Sequence, residues 1–403
     1  MTNDEFIAQH LADDVRALAL KRTPEGVDAP WCLQQIEGWQ TARAKMPSWA
    51  AVAGLWYPPH LPMEQCSSEQ TALYKRSQVE RLLPSAADRA AMADFTGGYG
   101  VDFSFLAPLF GHSVYVEQRE DLCAAARHNF PLLGLRHADI VQAETSADSP
   151  LLHDGERYGL AYLDPARRDG AGRKTVAIAD CSPDLTRLMP LLLDKAAVVM
   201  VKLSPMLDVS QALRDVPCVR EVHAVSVKGE CKELLLVCSR REASLRYLCV
   251  NLSTADAPVA VDACRQASPA IGSIDGAAFL YEPNASVLKL GVQDAVAEDY
   301  GLLKLHLRSN LYVGSSLAAD YPGRRFRIIG TTTFAKRSLK DFLKGTTQAN
   351  LTIRNFPSTV AELRKRLNLR EGGSAYLFAT TVAQGADAHV LIKCEKISNS
   401  CGS

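Results

Sequence analysis

The chain has 403 residues, 47% of them hydrophobic, and its 45 acidic side chains balance 45 basic ones. That places it among globular proteins large enough for two or three buried cores, and it excludes fibrous and low-complexity classes. The most apolar stretch, Leu188 to Leu203, is broken by Asp194 and Lys195, and acids stand near the N-terminus where a signal peptide would be basic, so no membrane span is expected and a cytoplasmic location is the default. Eleven cysteines, odd in number and never spaced C-x-x-C, indicate reduced thiols and no metal site.

Residues 1–83 read as helical, with apolar positions at helical spacing around Phe6, Ile7 and Leu11 and again around Leu33, Ile36 and Trp39. All four tryptophans (Trp31, Trp39, Trp49, Trp56) lie here and are expected to be core or docking residues. Tyr57-Pro58-Pro59 interrupts the segment, and Ser67-Ser68-Glu69 can cap a further helix to Leu83. From Met92 to Ser239 short apolar strands alternate with helices. The strands expected are Ala91–Phe95, Ser113–Glu117, one ending near His137–Ile140, Tyr158–Leu163 and Ala197–Leu203. A parallel doubly wound α/β sheet follows, closed by a hairpin of Val219–Val227 and Glu233–Cys238 about Lys228-Gly229. Such a terminal hairpin is how a class I methyltransferase sheet ends. Beyond Arg241 come a β-rich piece to Asp262, a linker at Ser268–Gly276 and a mixed α/β region. Its strands are expected at Phe326–Thr331, Gln348–Ile353, Ala375–Thr381 and His389–Lys393, its helices at Lys336–Leu343 and Thr359–Leu367, and its end, Ser398–Ser403, as a disordered tail.

The first strand runs into a turn carrying Asp94, Thr96, Gly97, Gly98, Gly100 and Asp102. Glycines here let backbone approach a ligand, either a dinucleotide or S-adenosylmethionine. Counting from Gly98, the third glycine of a dinucleotide fingerprint falls on Phe103, which favours the methionine-sulfonium cofactor, as does the acid before the turn. Glu117, ending the second strand about 20 residues on, is the expected ribose ligand, and Asp139 the expected acceptor for the adenine amino group.

The fourth strand delivers Asp164-Pro165-Ala166-Arg167-Arg168. In nucleic-acid methyltransferases an Asp-Pro-Pro turn aims a carboxylate or carbonyl at the nucleophilic nitrogen of a base, while arginine suits phosphate or guanine acceptors. Here Ala166 replaces the second proline; Asp164, Pro165 and Arg167 are the catalytic candidates and Arg168 a substrate contact. The fifth strand ends Lys202-Leu203-Ser204-Pro205, with Lys202 and Ser204 placed to line a base pocket. Leu203 stands where the 5-methyluridine enzymes carry a cysteine nucleophile, so direct in-line transfer to a nitrogen or oxygen is expected.

Net neutrality hides a segregation of charge. From Arg324 to Arg370 there are twelve Lys and Arg against Asp341 and Glu362, about +10, leaving about −10 for the remainder. Lys336, Arg337, Arg364, Lys365 and Arg366 are the candidate contacts to a nucleic-acid backbone.

Together with Glu64–Glu69, Tyr74-Lys75, Tyr281–Asn284, Leu363–Leu367 and Tyr376–Thr380, these residues resemble a bacterial family of class I methyltransferases with a C-terminal THUMP-like domain, known chiefly from Bacteroidetes. The resemblance covers nearly the whole chain. It implies a helical part at 1–83, an S-adenosylmethionine-binding domain at 84–241, a β-rich and ferredoxin-like part at 242–320 and a THUMP-like domain at 321–397. THUMP domains bind structured RNA, so the expected partner is RNA, tRNA above all. The alternatives are methylation of DNA or a small molecule, a non-catalytic RNA-binding protein that keeps the cofactor fold, and, disfavoured by Phe103, a nicotinamide-dependent oxidoreductase.

Overall fold

Polar caps set where the N-terminal helices begin. Thr2 and Glu5 form a capping box on α1 (Asn3–His10), Asp14 caps α2 (Val15–Ala19), and Asp28 caps α3 (Ala29–Lys45). After α4 (Pro47–Ala50) and α5 (His60–Gln65), Ser68 caps α6 (Glu69–Leu82). Phe6, Leu18, Cys32 and Ile36 form one small core. A second joins Met46, Trp49, Tyr57 and Ala72 to Tyr99 and Val101 of the glycine-rich turn, and the Trp49 indole donates to Ser104 Oγ at 3.1 Å. The helices are thus packed on the cofactor turn. Trp56 takes the docking part of that expectation: it is 40% exposed and stacks on His128 at 4.1 Å.

The computed structural model describes residues 1–167, 178, 181–253 and 257–397. It divides into two units, Met1–Val222 with Glu233–Ala243, and His223–Lys232 with Ser244–Ser403. The first unit therefore takes in both the N-terminal helices and an α/β sheet.

That sheet is built from β1 (Ala91–Asp94), α7 (Val101–Leu106), β2 (His112–Glu117), α8 (Glu120–Leu132), β3 (Ala138–Gln142) and β4 (Tyr158–Leu163). A short ladder of β5 (Ala166–Arg167) on β6 (Cys181–Ser182) precedes α9 (Leu185–Lys195), β7 (Ala196–Leu203) and α10 (Val209–Asp215). The strands β8 (Val219–Val227) and β9 (Glu230–Cys238) follow, and this part of the sheet has the order β8-β9-β7-β4-β1-β2-β3. The pairs from β3 through β7 are parallel and β7–β9 is antiparallel. Strands covered on both faces are apolar, which is why β4 and β1 as far as Asp94 read as hydrophobic runs. Strand order reverses between β1 and β4, and a crevice opens at the carboxyl ends of strands at such a switch point.

In the second unit β10 (Arg246–Asn251) pairs antiparallel with β11 (Val259–Asp262). A separate sheet follows from β12 (Phe279–Pro283), α11 (Ala285–Leu290), α12 (Gln293–Asp299), β13 (Leu303–Lys304), β14 (Tyr312–Gly314) and β15 (Gly323–Thr333). The chain then runs through α13 (Lys336–Phe342), β16 (Asn350–Arg354), α14 (Val360–Leu367), β17 (Ala375–Gln384) and β18 (Ala386–Lys396), giving the order β13-β14-β12-β15-β18-β17-β16. Alternation sorts its faces: Phe378, Val382 and Ile392 point to one core, and Leu377, Ala379 and Leu391 to another shared with Leu339 of α13 and Leu363 of α14. Both helices hence lie on one face of the sheet. Among the described residues no helix is long and apolar enough to cross a membrane. The expected tail at Ser398–Ser403 lies outside the described residues.

Candidate functional site

At the end of β1 the chain turns sharply over the ends of its neighbours. The Phe95 amide donates to Tyr162 O at 3.0 Å, the Gly97 amide to Val116 O at 2.8 Å, and the Thr96 amide to the buried Asp94 carboxylate at 3.0 Å. Side chains at two of the glycines would collide with rings beneath. A Cβ on Gly97 would lie 2.3 Å from the Tyr115 ring, and one on Gly100, at φ +83°, 2.9 Å from Phe130. Phe103 fills the space under the turn, stacked on Phe130 at 5.1 Å and edge-on to Tyr115 at 5.5 Å. That packing accounts for a bulky residue where a dinucleotide fingerprint has glycine.

Glu117 closes the turn from β2. Its carboxylate accepts from the Gly98 amide at 2.8 Å and from the Arg119 amide at 2.9 Å, leaving a further lone pair on each oxygen for hydroxyl donors. Asp94, Thr96, Gly97, Gly98, Gly100 and Glu117 are therefore brought together. Burial pushes the Asp94 carboxyl well above its ordinary range, the Thr96 amide opposes it, and the carboxylates of Asp102, Asp164 and Glu117 add to the rise.

Two of the expected cofactor residues stand elsewhere. Asp139 begins β3 instead of ending it: it pairs in register with Val114, three positions and roughly 10 Å from the Glu117 end. It is exposed and bonds His112 Nε2 at 2.9 Å, so the structure does not bring it to the glycine turn. The acid beyond the carboxyl end of β3 is Glu144, next to Ala143, whose amide donates to Glu117 O at 3.0 Å. Asp102 faces the interior. Its Oδ2 accepts from Ser67 Oγ and Tyr162 Oη, both at 2.7 Å, and Lys75 Nζ lies 3.2 Å from Oδ1. Burial pushes the Asp102 carboxyl up, but Lys75, Lys202 and the two hydroxyls outweigh it and hold it below its ordinary value.

Asp164 follows β4 beside the turn, its amide donating to Thr96 Oγ1 at 2.5 Å. Its carboxylate, 37% exposed, meets Lys202 Nζ at 2.5 Å. Lys202 is a buried ammonium standing behind Asp164, not an open pocket-lining lysine, and it also lies 3.3 Å from Ser67 Oγ and 3.8 Å from Asp102. Burial pulls its pKa down, yet Asp164, Asp102 and Glu233 outweigh this and raise it. Ser204 Oγ accepts the Met206 amide at 3.2 Å, which shapes the loop after β7 and leaves Met206 67% exposed at its rim. Pro165 leads into β5, where the backbone of Arg167 pairs with Cys181. Arg168 lies outside the described residues.

Ser67, Lys75 and Glu233 complete this cluster; the sequence pointed to Ser67 only as part of a helix cap, which Ser68 provides, and assigned none of the three a part in the site. For Ser67 and Lys75 the signal was the Glu64–Glu69 and Tyr74-Lys75 segments, quoted for the family resemblance without a chemical reason; Glu233, inside a strand of the closing hairpin, gave none.

In the basic segment the structure separates structural from free cations. Arg324 and Arg354 both pair with the buried Glu282 carboxylate, Arg325 is buried, and Arg364 donates to Ala349 O at 3.2 Å. Lys336, Arg337 and Lys340 on α13, Lys365 and Arg366 on α14, and Arg327, Lys344 and Arg370 nearby are exposed. Arg366 also covers the Phe334 ring at 5.6 Å.

The family described as THUMP domain-like matches residues 323–396, and that described as ferredoxin-like domain matches residues 279–322. No curated protein matches the chain. Among solved structures, a putative methyltransferase from Porphyromonas gingivalis W83 is 31% identical over 98% of this chain and 98% of its own, with a TM-score of 0.83. An rRNA methylase from Streptococcus thermophilus is 13% identical over 40% of this chain and 92% of its own, with a TM-score of 0.30. A putative methyltransferase from Streptococcus mutans, in complex with SAH, is 12% identical over 40% and 94%, also with a TM-score of 0.30.

Proposed function

The chain belongs to the family of class I methyltransferases that carry ferredoxin-like and THUMP-like domains at the C-terminus, and from that premise we propose that it is an S-adenosylmethionine-dependent methyltransferase acting on structured RNA, with tRNA the favoured substrate. The observation that carries the cofactor reading is the gathering of Asp94, Asp164 and Glu117 around the glycine turn, with Asp102 behind them. Acceptors gathered at the turn suit the sulfonium, ammonium and ribose hydroxyls of this cofactor. Gly97 and Gly98 would admit the methionyl part, Glu117 would take the ribose hydroxyls, and we assign the adenine amino contact to Glu144.

When bound, the cofactor supplies an electrophilic methyl group. The chain's own part is to hold a nucleophile in line with it. Asp164, fixed by Lys202 and aimed outward, accepts a hydrogen bond from a donor on the substrate, which favours an amino nitrogen over a carbonyl oxygen as the methylated atom. Leu203 is buried at the end of β7, so no thiolate attack at that position enters the reaction. The exposed cations of α13 and α14 would hold RNA phosphates. The experiment is a comparison, by mass spectrometry, of modified nucleosides in RNA from cells with and without the protein. One methylated nucleoside present with the protein and absent without it is the expected result; identical profiles would refute the RNA assignment.

A further inference from the structure

We propose that Lys75 and Ser67 are positioning residues that hold Lys202 against Asp164, which makes the N-terminal helical segment a working part of the reaction site. This rests on the reading of Asp164 as the group facing the methyl acceptor.

Five charges alternate in sign along a line: Glu233, Lys75, Asp102, Lys202, Asp164. Lys75 Nζ is completely buried and lies 2.7 and 2.8 Å from the two Glu233 oxygens, 3.1 Å from Ser67 Oγ and 3.2 Å from Asp102 Oδ1. Contact to both carboxylate oxygens is the geometry of an ionised pair. Lys202 stands between two carboxylates, 2.5 Å from Asp164 and 3.8 Å from Asp102. Lys75 offsets the inner pair, Asp102 and Glu233, whose field would otherwise draw Lys202 inward and strip Asp164 of its ammonium. Ser67 sets the spacing. Its hydroxyl donates to Asp102 Oδ2 at 2.7 Å and accepts from Lys75 at 3.1 Å and Lys202 at 3.3 Å, which uses its one proton and both lone pairs. Burying such a cluster costs desolvation, and apolar replacements of similar volume are often as stable. Its chemical return is at Asp164, the most exposed of the five carboxylate and ammonium groups.

The test measures transfer from methyl-labelled S-adenosylmethionine to RNA purified from cells lacking the protein, using wild type, Lys75→Met, Ser67→Ala and the double variant Lys75→Met with Glu233→Gln. Lys75→Met is expected to lower kcat by about tenfold or more, with KM for RNA and affinity for S-adenosylhomocysteine within about twofold. The double variant restores the native excess of one negative charge and should recover a large part of that loss, whereas a packing role predicts that it is no better than the single one. Ser67→Ala removes one atom, is the variant least disturbing to folding, and should lower kcat severalfold. Crystal structures of Lys75→Met and Ser67→Ala should show Lys202 turned from Asp164 toward Asp102. Wild-type kcat in both single variants, or a double variant no better than Lys75→Met, would overturn the proposal. If wild type itself labels no RNA, the functional reading fails; the positions of Lys202 in the variant structures then decide this inference alone, and an unmoved Lys202 overturns it.

Discussion

The Gly98 amide donates to the Glu117 carboxylate at 2.8 Å, tying the crest of the glycine turn to the end of the neighbouring strand. One side chain thus shapes the turn and presents acceptors to whatever the turn holds. Glu117→Ala should weaken S-adenosylmethionine binding by roughly 1.5–3 kcal/mol, through lost charged hydrogen bonds and two amides left without their acceptor. Calorimetry giving unchanged affinity would remove Glu117 from the site.

Asp94 trades stability for cofactor binding. Its carboxyl is raised above its ordinary value in the folded protein, chiefly by burial, so the stability that goes with its neutral form is fully present below about pH 4 and is lost as pH rises through the folded value. Asparagine keeps the acceptor for the Thr96 amide and carries no charge to desolvate. Asp94→Asn should therefore melt at a higher temperature than wild type at pH 7 and at the same temperature near pH 4. The same variant should bind S-adenosylmethionine roughly tenfold more weakly, about 1.4 kcal/mol, and S-adenosylhomocysteine, which lacks the sulfonium charge, nearly as well as before. Equal losses for the two ligands would contradict the assignment.

The free cations of α13 and α14 should govern RNA affinity. Reversing Lys336, Arg337, Lys365 and Arg366 to Glu should weaken RNA binding and lower the slope of log affinity against log salt by roughly 0.7–0.9 for each phosphate contact removed. Reversal of Arg16, Lys21 and Arg22, exposed on the N-terminal segment, is the control and should leave the slope alone. Filter binding over a range of salt reads both. An unchanged slope in the fourfold variant would make these residues a solvated helix face.

Much of the sheet could be read from sequence because strands covered on both sides announce themselves as apolar runs; Tyr158–Leu163 is the clearest instance. The edge strand β3 was harder. It is only partly buried, its apolar centre is Ile140-Val141, and His137–Ile140 reads as a strand end when β3 starts at Ala138, so the candidate Asp139 falls away from the carboxyl end of the strand. Buried charge was invisible. Lys75, Asp102, Lys202 and Glu233 are far apart in the chain, and in a linear text a buried lysine looks like a surface one. The same blindness left Arg324 and Arg354 undistinguished within the basic count of their segment, although Glu282, outside it, pairs with both.

The most direct test of methyl transfer to RNA is incorporation of label from methyl-labelled S-adenosylmethionine into RNA from cells lacking the protein, measured with wild type and with Asp164→Ala in parallel. Asp164 contacts the turn through its amide as well as Lys202 through its carboxylate, so the variant should keep cofactor affinity within about tenfold while losing its substrate-facing acceptor. The result predicted is label in RNA with wild type and almost none with Asp164→Ala. No label in RNA with wild type, or equal label with the variant, would contradict it.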